Sequence, residues 1–283
     1  MRWVVHSDFA RGGARVLPWL DTEPVRNSMQ AGVVRGVLAG LYPLDGSAVL
    51  AHAEEGEAVV GVAVRTPGRA LILSAMPAAA AAALAPTLGD AGHAPPGLVG
   101  PAGSTEAFAD AWSRRTGCRV RLRMSQRVHG LDRVVPPVGV PGSLRGARPP
   151  EVDLVQGWAE AMGEEIGGAH ADRDPRLREL LGRRIAEDRM ALWQVDDEVV
   201  SMAGPSLPTA GVVRIALVYT PPRHRRHGYA AACVAAVSQR ALDAGAVACS
   251  LITDLANPTS NGVYRRIGYY PVGDVRQLTF DLP

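Results

Sequence analysis

A chain of 283 residues is long for one domain and comfortable for two, and its 47% hydrophobic content supports a substantial core. The net charge of +2 gives no global field that would draw nucleic acid or a membrane surface. All 30 basic residues are arginine, which excludes a lysine nucleophile or Schiff base, and three widely spaced cysteines give neither a disulfide framework nor a metal-ligand pattern.

The abundance of alanine, glycine, proline and arginine fits a GC-rich coding sequence and a bacterial source. The N-terminus, Met1 to Asp8, has no long apolar h-region. The most apolar stretch, Leu71 to Leu88, is mostly alanine and broken by prolines, too weak for a membrane span. The expectation is a cytoplasmic protein.

Asp21 or Thr22 is expected to cap a helix carrying Val25, Met29, Val33 and Val37 on one face. Runs at Ala48–Ala53, Ala58–Arg65 and Ala70–Met76 read as strands. Helical patterns follow at Ala78–Leu88 and Thr105–Thr116. Val134 to Gly142, rich in proline and glycine and without helical period, reads as a linker. It divides a domain over 1–135 from one over 136–283.

Beyond it, Gly142–Ala147 suggests a first strand. Asp153 opens a helix with Val155, Trp158, Met162 and Ile166 on one face. Asp174-Pro175 reads as an N-cap with proline at the first helical position, and Leu177, Leu181 and Ile185 mark that helix's buried side. Asp196-Asp197-Glu198 joins strands at Met190–Val195 and Val199–Ala203. A strand at Val212–Val218, a helix at Ala230–Ala244 ended by Gly245 and a strand at Val247–Ile252 follow. A short helix at Pro258–Ile267 and a strand pair at Tyr269–Val272 and Val275–Phe280 complete an α/β pattern. Cys233 and Cys249 fall on this helix and strand as small core residues. Tyr264 to Gly268 matches Ser113 to Gly117 at the end of the corresponding earlier helix, so the halves read as a repeat.

The most informative stretch is Val218 to Ala230, where a strand hands over to a helix N-terminus through three arginines, two histidines and Gly228. Such a junction offers free N–H groups and the positive end of a helix dipole, a seat for a phosphate or pyrophosphate. A solvated basic loop is the plainer alternative. Here Arg225-x-x-Gly228-x-Ala230 resembles the pyrophosphate loop of the GNAT family of acyl-CoA N-acyltransferases. Leu255 to Tyr269 resembles that family's second signature, in which Asn257 at a strand end is followed seven residues later by Tyr264 and then by Gly268-Tyr269. The resemblance is firm over 211–280 and extends back to about 142.

The resemblance implies two GNAT-like domains, each a mixed, mostly antiparallel sheet flanked by helices. The first copy lacks the Arg-x-x-Gly-x-Ala loop after Leu73 to Met76, has Ser113 where the second has Tyr264, and serves as a scaffold. It also implies acetyl-CoA as cofactor. The loop of Arg223, Arg225, Arg226, His227, Gly228, Tyr229 and Ala230 would wrap the pyrophosphate. Main-chain groups of Leu217, Val218, Tyr219 and Thr220 would take the pantetheine arm, with Asn257 and Ser260 beside it. Tyr264 would be the general acid that protonates the departing thiolate.

The family's usual strand glutamate is absent from Val213 to Val218. The base is then a water chain, Glu164, Glu165 or Asp254, and Trp158, Glu164 and Glu165 are candidates for the acceptor pocket. The activity implied is acetyl transfer to a primary amine of a small molecule or peptide, by a monomer or homodimer, with no nucleic-acid, membrane or metal partner. Another acyl-CoA donor, as in a tandem enzyme such as mycothiol synthase, and an acyl-CoA sensor without turnover are the alternatives. His224 and His227 read as phosphate or solvent contacts, and His6, His52, His93, His129 and His170 as scattered single residues.

Overall fold

The computed structural model describes residues 1–167 and 176–281. The Asp174-Pro175 cap and His170 lie outside the described residues. In chain order the elements are β1 (Arg2–Val5), α1 (Phe9–Leu20), α2 (Ser28–Leu38), β2 (Val49–Glu55), β3 (Ala58–Arg65), β4 (Leu71–Leu73), α3 (Ala78–Asp90), β5 (Gly97–Pro101), α4 (Ala102–Thr116) and β6 (Arg119–Leu131). Then come β7 (Ser143–Gly146), α5 (Val152–Gly167), α6 (Leu177–Ala186), β8 (Ala191–Val195), β9 (Glu198–Pro205), β10 (Val212–Tyr219), α7 (Tyr229–Asp243), β11 (Ala248–Asp254), α8 (Pro258–Arg266) and β12 (Tyr270–Asp281). The fold is α/β.

The chain forms two compact units. One comprises Met1–His129 with Ile252–Pro258 and Pro271–Pro283, the other Gly130–Leu251 with Thr259–Tyr270. In the first, the strand order is β1-β2-β3-β4-β5-β12-β6. Alternating side chains of β2 and β3 feed two cores, as the two-residue period of a strand requires. Ala51 and Ala63 join Leu71, Leu98, Phe108 and Trp112 under α3 and α4, while Leu50, Val62 and Val64 pack with Val16, Leu20 and Val34 of α1 and α2.

β12 lies antiparallel to β5, with Val275 opposite Pro101 and Thr279 opposite Gly97. Leu278 and Phe280 enter the core under α3 and α4, where the Phe280 ring sits 6.3 Å from Phe108 and 6.4 Å from Trp112. The last strand of the chain thus completes the sheet of the first unit.

In the second unit the order is β11-β10-β9-β8-β7. The helix α7 covers one face through Ala232, Cys233, Val234 and Val237, and α5 and α6 cover the other through Val155, Trp158, Leu181 and Ile185. Burial pushes the Cys233 thiol up to about 12 and the Cys249 thiol up to about 11. Both stay protonated and serve as packing.

Several expectations are corrected. Asp21 ends α1, its N–H bonded to the Leu17 carbonyl, and Thr22 follows it. The next helix starts after Asn27 and leaves Val25 outside. The expected strand pair at the C-terminus is the single strand β12, running straight through Gly273-Asp274. Ile166, placed on the buried face of α5, is 58% exposed. His6 and His52 are partners, stacked with centroids 5.0 Å apart and joined Nε2 to Nδ1 at 2.9 Å. Pairing of β1 with β2 brings these two rings together.

Candidate functional site

The candidate site is built where β10 meets α7. β10 runs parallel to β11 only over Val212–Arg214 and antiparallel to β9 at Ile215, Ala216 and Tyr219. Three steps from Ala216 to Tyr219 oppose two from Gly204 to Met202, so the strand carries a bulge. Leu217 sits in the left-handed region at φ 51°. For a branched residue this conformation is strained and must be held by its surroundings. The bulge leaves Leu217 and Val218 without a register partner on β9.

The next two residues are tied down. Ser201 Oγ donates to the Tyr219 carbonyl at 3.1 Å and meets Thr220 Oγ1 at 2.9 Å. Arg225 Nε donates to the Thr220 carbonyl at 2.9 Å. Pro221 and Pro222 cannot donate to a ladder and end the strand. Ser201 carries no motif, and nothing in the sequence singles it out.

Residues 222–224 make one 3-10 turn, and Gly228 then stands as the N-cap of α7 at φ 83°. A Cβ at Gly228 would lie 2.9 Å from Val140 Cγ2, so both conformation and space favour glycine there. No side chain caps α7. Its first N–H groups, at Tyr229 and Ala230, therefore point out of the helix start with no intrahelical partner. Arg226 is exposed at φ 67°, and the His227 ring stacks on Tyr229 at 5.4 Å. Arg223 and His224 approach Glu198, His224 Nε2 at 3.1 Å from its Oε1.

Arg225 has a different engagement from that of its neighbours. Its Nη2 donates to both oxygens of Glu165, at 2.6 and 2.8 Å, and its guanidinium stands 5.7 Å over the Tyr219 ring. Glu165 Oε1 also accepts from the Tyr219 hydroxyl at 3.2 Å. Desolvation, and next the Glu165 charge, hold the Tyr219 phenol above its usual range. Trp158, 9% exposed, packs its ring 6.1 Å from Tyr219. Thus Trp158 and Glu165 converge with the β10 end, whereas Glu164, one residue earlier on α5, is exposed.

Tyr264 and Ser260 stand on α8. The Tyr264 ring meets Tyr269 edge-on at 6.0 Å and packs against the core under α7. Burial pushes its phenol well above the usual value, so the hydroxyl keeps its proton at neutral pH. The turn before Tyr269 requires Gly268: at φ 107°, a Cβ there would lie 2.5 Å from the Arg133 carbonyl oxygen. Asn257 falls in the segment 252–258, exposed in the turn after β11, its N–H bonded to the Asp254 carbonyl at 3.1 Å. Among the described residues no group of three or more His, Cys, Asp or Glu is placed to hold a metal ion. Nor is any helix among them long and apolar enough to cross a membrane.

Comparison with known proteins agrees with this architecture. Residues 155–269 match the profile of the acetyltransferase (GNAT) family. No curated protein matches the chain. Among solved structures, the chain is similar to a GCN5-related N-acetyltransferase from Sphaerobacter thermophilus at 17% identity and a TM-score of 0.65, covering 99% of this chain and 96% of that one. It is similar to a GNAT-family acetyltransferase from Colwellia psychrerythraea at 10% identity and a TM-score of 0.59, over 100% of both chains. A tandem GNAT protein from the clavulanic acid biosynthesis pathway aligns at 12% identity and a TM-score of 0.56, over 99% of this chain and 98% of that one. At these identities the solved structures establish the fold. Residues 155–269 thus resemble a domain of the GNAT acetyltransferase family, and the chain as a whole has the fold of these solved structures.

Proposed function

We propose that the second unit moves an acetyl group from acetyl-CoA to a primary amine of a small molecule or peptide. One observation carries this reading: a bulged strand end runs through a left-handed glycine into an uncapped helix. The main chain of the bulged residues Leu217 and Val218 would bond the amides of the pantetheine arm as an added strand does. The N–H groups after Gly228 and the α7 dipole would hold the pyrophosphate, with Arg223 and Arg226 adding charge. Ser260 would flank the arm.

Chemically, the acceptor nitrogen bonds to the thioester carbonyl carbon and the carbon–sulfur bond breaks. Tyr264 would give its phenolic proton to the departing sulfur. Glu165, an acceptor at the strand end, is the best-placed carboxylate to take the proton from the amine. The first unit, whose β4 is followed by Pro77 and an alanine-rich helix instead of an arginine loop, would act as scaffold.

A second reading is an acyl-CoA sensor without turnover. It is favoured by the lack of any acidic side chain on β10. A thermal-shift titration with acetyl-CoA, CoA and ATP on wild type and Gly228→Glu, followed by an amine screen, separates the two. At 100 times its dissociation constant a ligand stabilises by about 2.7 kcal/mol. A shift with both CoA species, weak with ATP and lost in the variant, supports the site. Turnover of any amine then selects the enzyme, and no shift with acetyl-CoA removes both readings.

A further inference from the structure

The bulge of β10 is held unequally on its two sides. On the near side, Ile215 and Ala216 keep register with Pro205 and Gly204 of β9. On the far side, Tyr219 opposite Met202 is the last register pair. Thr220 follows, and then Pro221 and Pro222, which have no N–H to continue a ladder. A bulge that holds Leu217 at φ 51° needs support from its surroundings, and the ladder gives out directly after it.

Ser201 supplies that support. It is fully buried, and a buried hydroxyl is costly unless bonded. Its Oγ lies 3.1 Å from the Tyr219 carbonyl oxygen and 2.9 Å from Thr220 Oγ1. A hydroxyl has a single proton and a carbonyl can only accept. Both contacts are satisfied when Ser201 donates to Tyr219 and accepts from Thr220. The result is a chain from the Thr220 hydroxyl through Ser201 to the Tyr219 carbonyl, which clamps consecutive residues of β10 from one point on β9. Side chains alternate along a strand, so Ser201 shares a face with Ala203, which packs in one core with Cys233 of α7. Burial raises the Cys233 thiol, and a contact with Ser201 opposes that rise. One hydroxyl thus lies against both halves of the junction, the end of β10 and the start of α7.

We infer that Ser201 is a positioning residue for acyl-CoA: its hydrogen-bond chain sets the main chain of Leu217 and Val218 in the direction that the amides of the pantetheine arm require. It touches no reacting atom. This role rests on the proposal that acyl-CoA binds at this junction.

The test is calorimetry with CoA on the full chain. The proteins are wild type, Ser201→Ala, Thr220→Val, Thr220→Ser and the double variant of Ser201→Ala with Thr220→Val, each checked for folding by circular-dichroism melting. Thr220→Val breaks the same chain from its other end at similar size, and Thr220→Ser keeps it. The expected result is CoA affinity weaker by about fivefold or more in Ser201→Ala and in Thr220→Val, the scale of one or two neutral hydrogen bonds. Thr220→Ser should stay within about twofold of wild type. Because the two hydroxyls act in one chain, the double variant should lose no more than the weaker-binding single variant. Whichever single variant folds carries the comparison. A folded Ser201→Ala or Thr220→Val with wild-type CoA affinity overturns the role of Ser201, even where its melting temperature has fallen, and so does a Thr220→Ser as weak as Thr220→Val. Wild type that binds no CoA up to about 10 mM overturns the acyl-CoA reading itself, and this role with it.

Discussion

Tyr264 and the His6–His52 pair illustrate two uses of a buried polar side chain. If the Tyr264 hydroxyl is the proton donor, Tyr264→Phe lowers turnover about tenfold to 10⁴-fold while the acetyl-CoA thermal shift stays as in wild type. Unchanged turnover in that variant removes Tyr264 from the chemistry. In the first unit, desolvation is the main cause that lowers both His6 and His52 below the usual histidine value, and the mutual charge adds to it for His6. A proton then binds the unfolded chain more readily than the folded one. Their contribution to stability is complete above the unfolded pKa of about 6.5 and is lost as pH falls through the lower folded values. Melting temperature should therefore drop between pH 7.5 and pH 5, and drop less in His52→Gln. Equal slopes for the two proteins would exclude the pair as the source.

At the level of elements, the β10–α7 junction can be read from sequence almost to the residue, because apolar alternation, Pro221-Pro222 and Gly228 punctuate it. What joins it to α5 cannot be read. Glu165 and Arg225 are sixty positions apart with nothing in their spacing to pair them, and only the packed helix brings them to 2.6 Å. α1 was hidden by Gly12, Gly13 and Pro18, all poor helix formers, although Val16 and Leu20 are fully buried. β6, absent from the expected elements, does carry a strand signal, since Arg119, Arg121 and Arg123 alternate with Val120, Leu122 and Met124. The Glu165–Arg225 pair has a testable consequence. Both side chains are nearly half exposed, so Glu165→Gln should change stability by less than about 1 kcal/mol. It should tighten CoA binding about threefold to tenfold by releasing Arg225 toward phosphate, tenfold being about 1.4 kcal/mol. Calorimetry showing weaker CoA binding would mean that the pair holds the loop in its working shape.

Across the whole molecule, both units use the same device of a sheet with helices on both faces, yet neither is a single run of chain. The Pro- and Gly-rich stretch at 134–142 has neither helix nor strand and lies within the second unit. No local pattern could reveal that β12 pairs with β5, since a strand's sequence encodes its faces and not its neighbour. Phe280 is the sharpest probe of that arrangement. Phe280→Ala should cost about 3–5 kcal/mol, read as a lower denaturation midpoint, and protease protection should be lost first around α3 and α4. Destabilisation below about 1 kcal/mol would mean that β12 is dispensable to the first unit's core.

The same strand sets an order of events during synthesis. The ribosome makes β5 early and β12 last, at about 5–20 residues per second, so β5 waits on the order of ten seconds or more for its neighbour. Until residue 281 clears the exit tunnel, the first half of the protein carries an open sheet edge and an apolar pocket shaped for Leu278 and Phe280. Such an edge invites wrong partners. The half of the chain that is born first is the half that finishes folding last, and nascent chains stalled before β12 should be the form that chaperones retain.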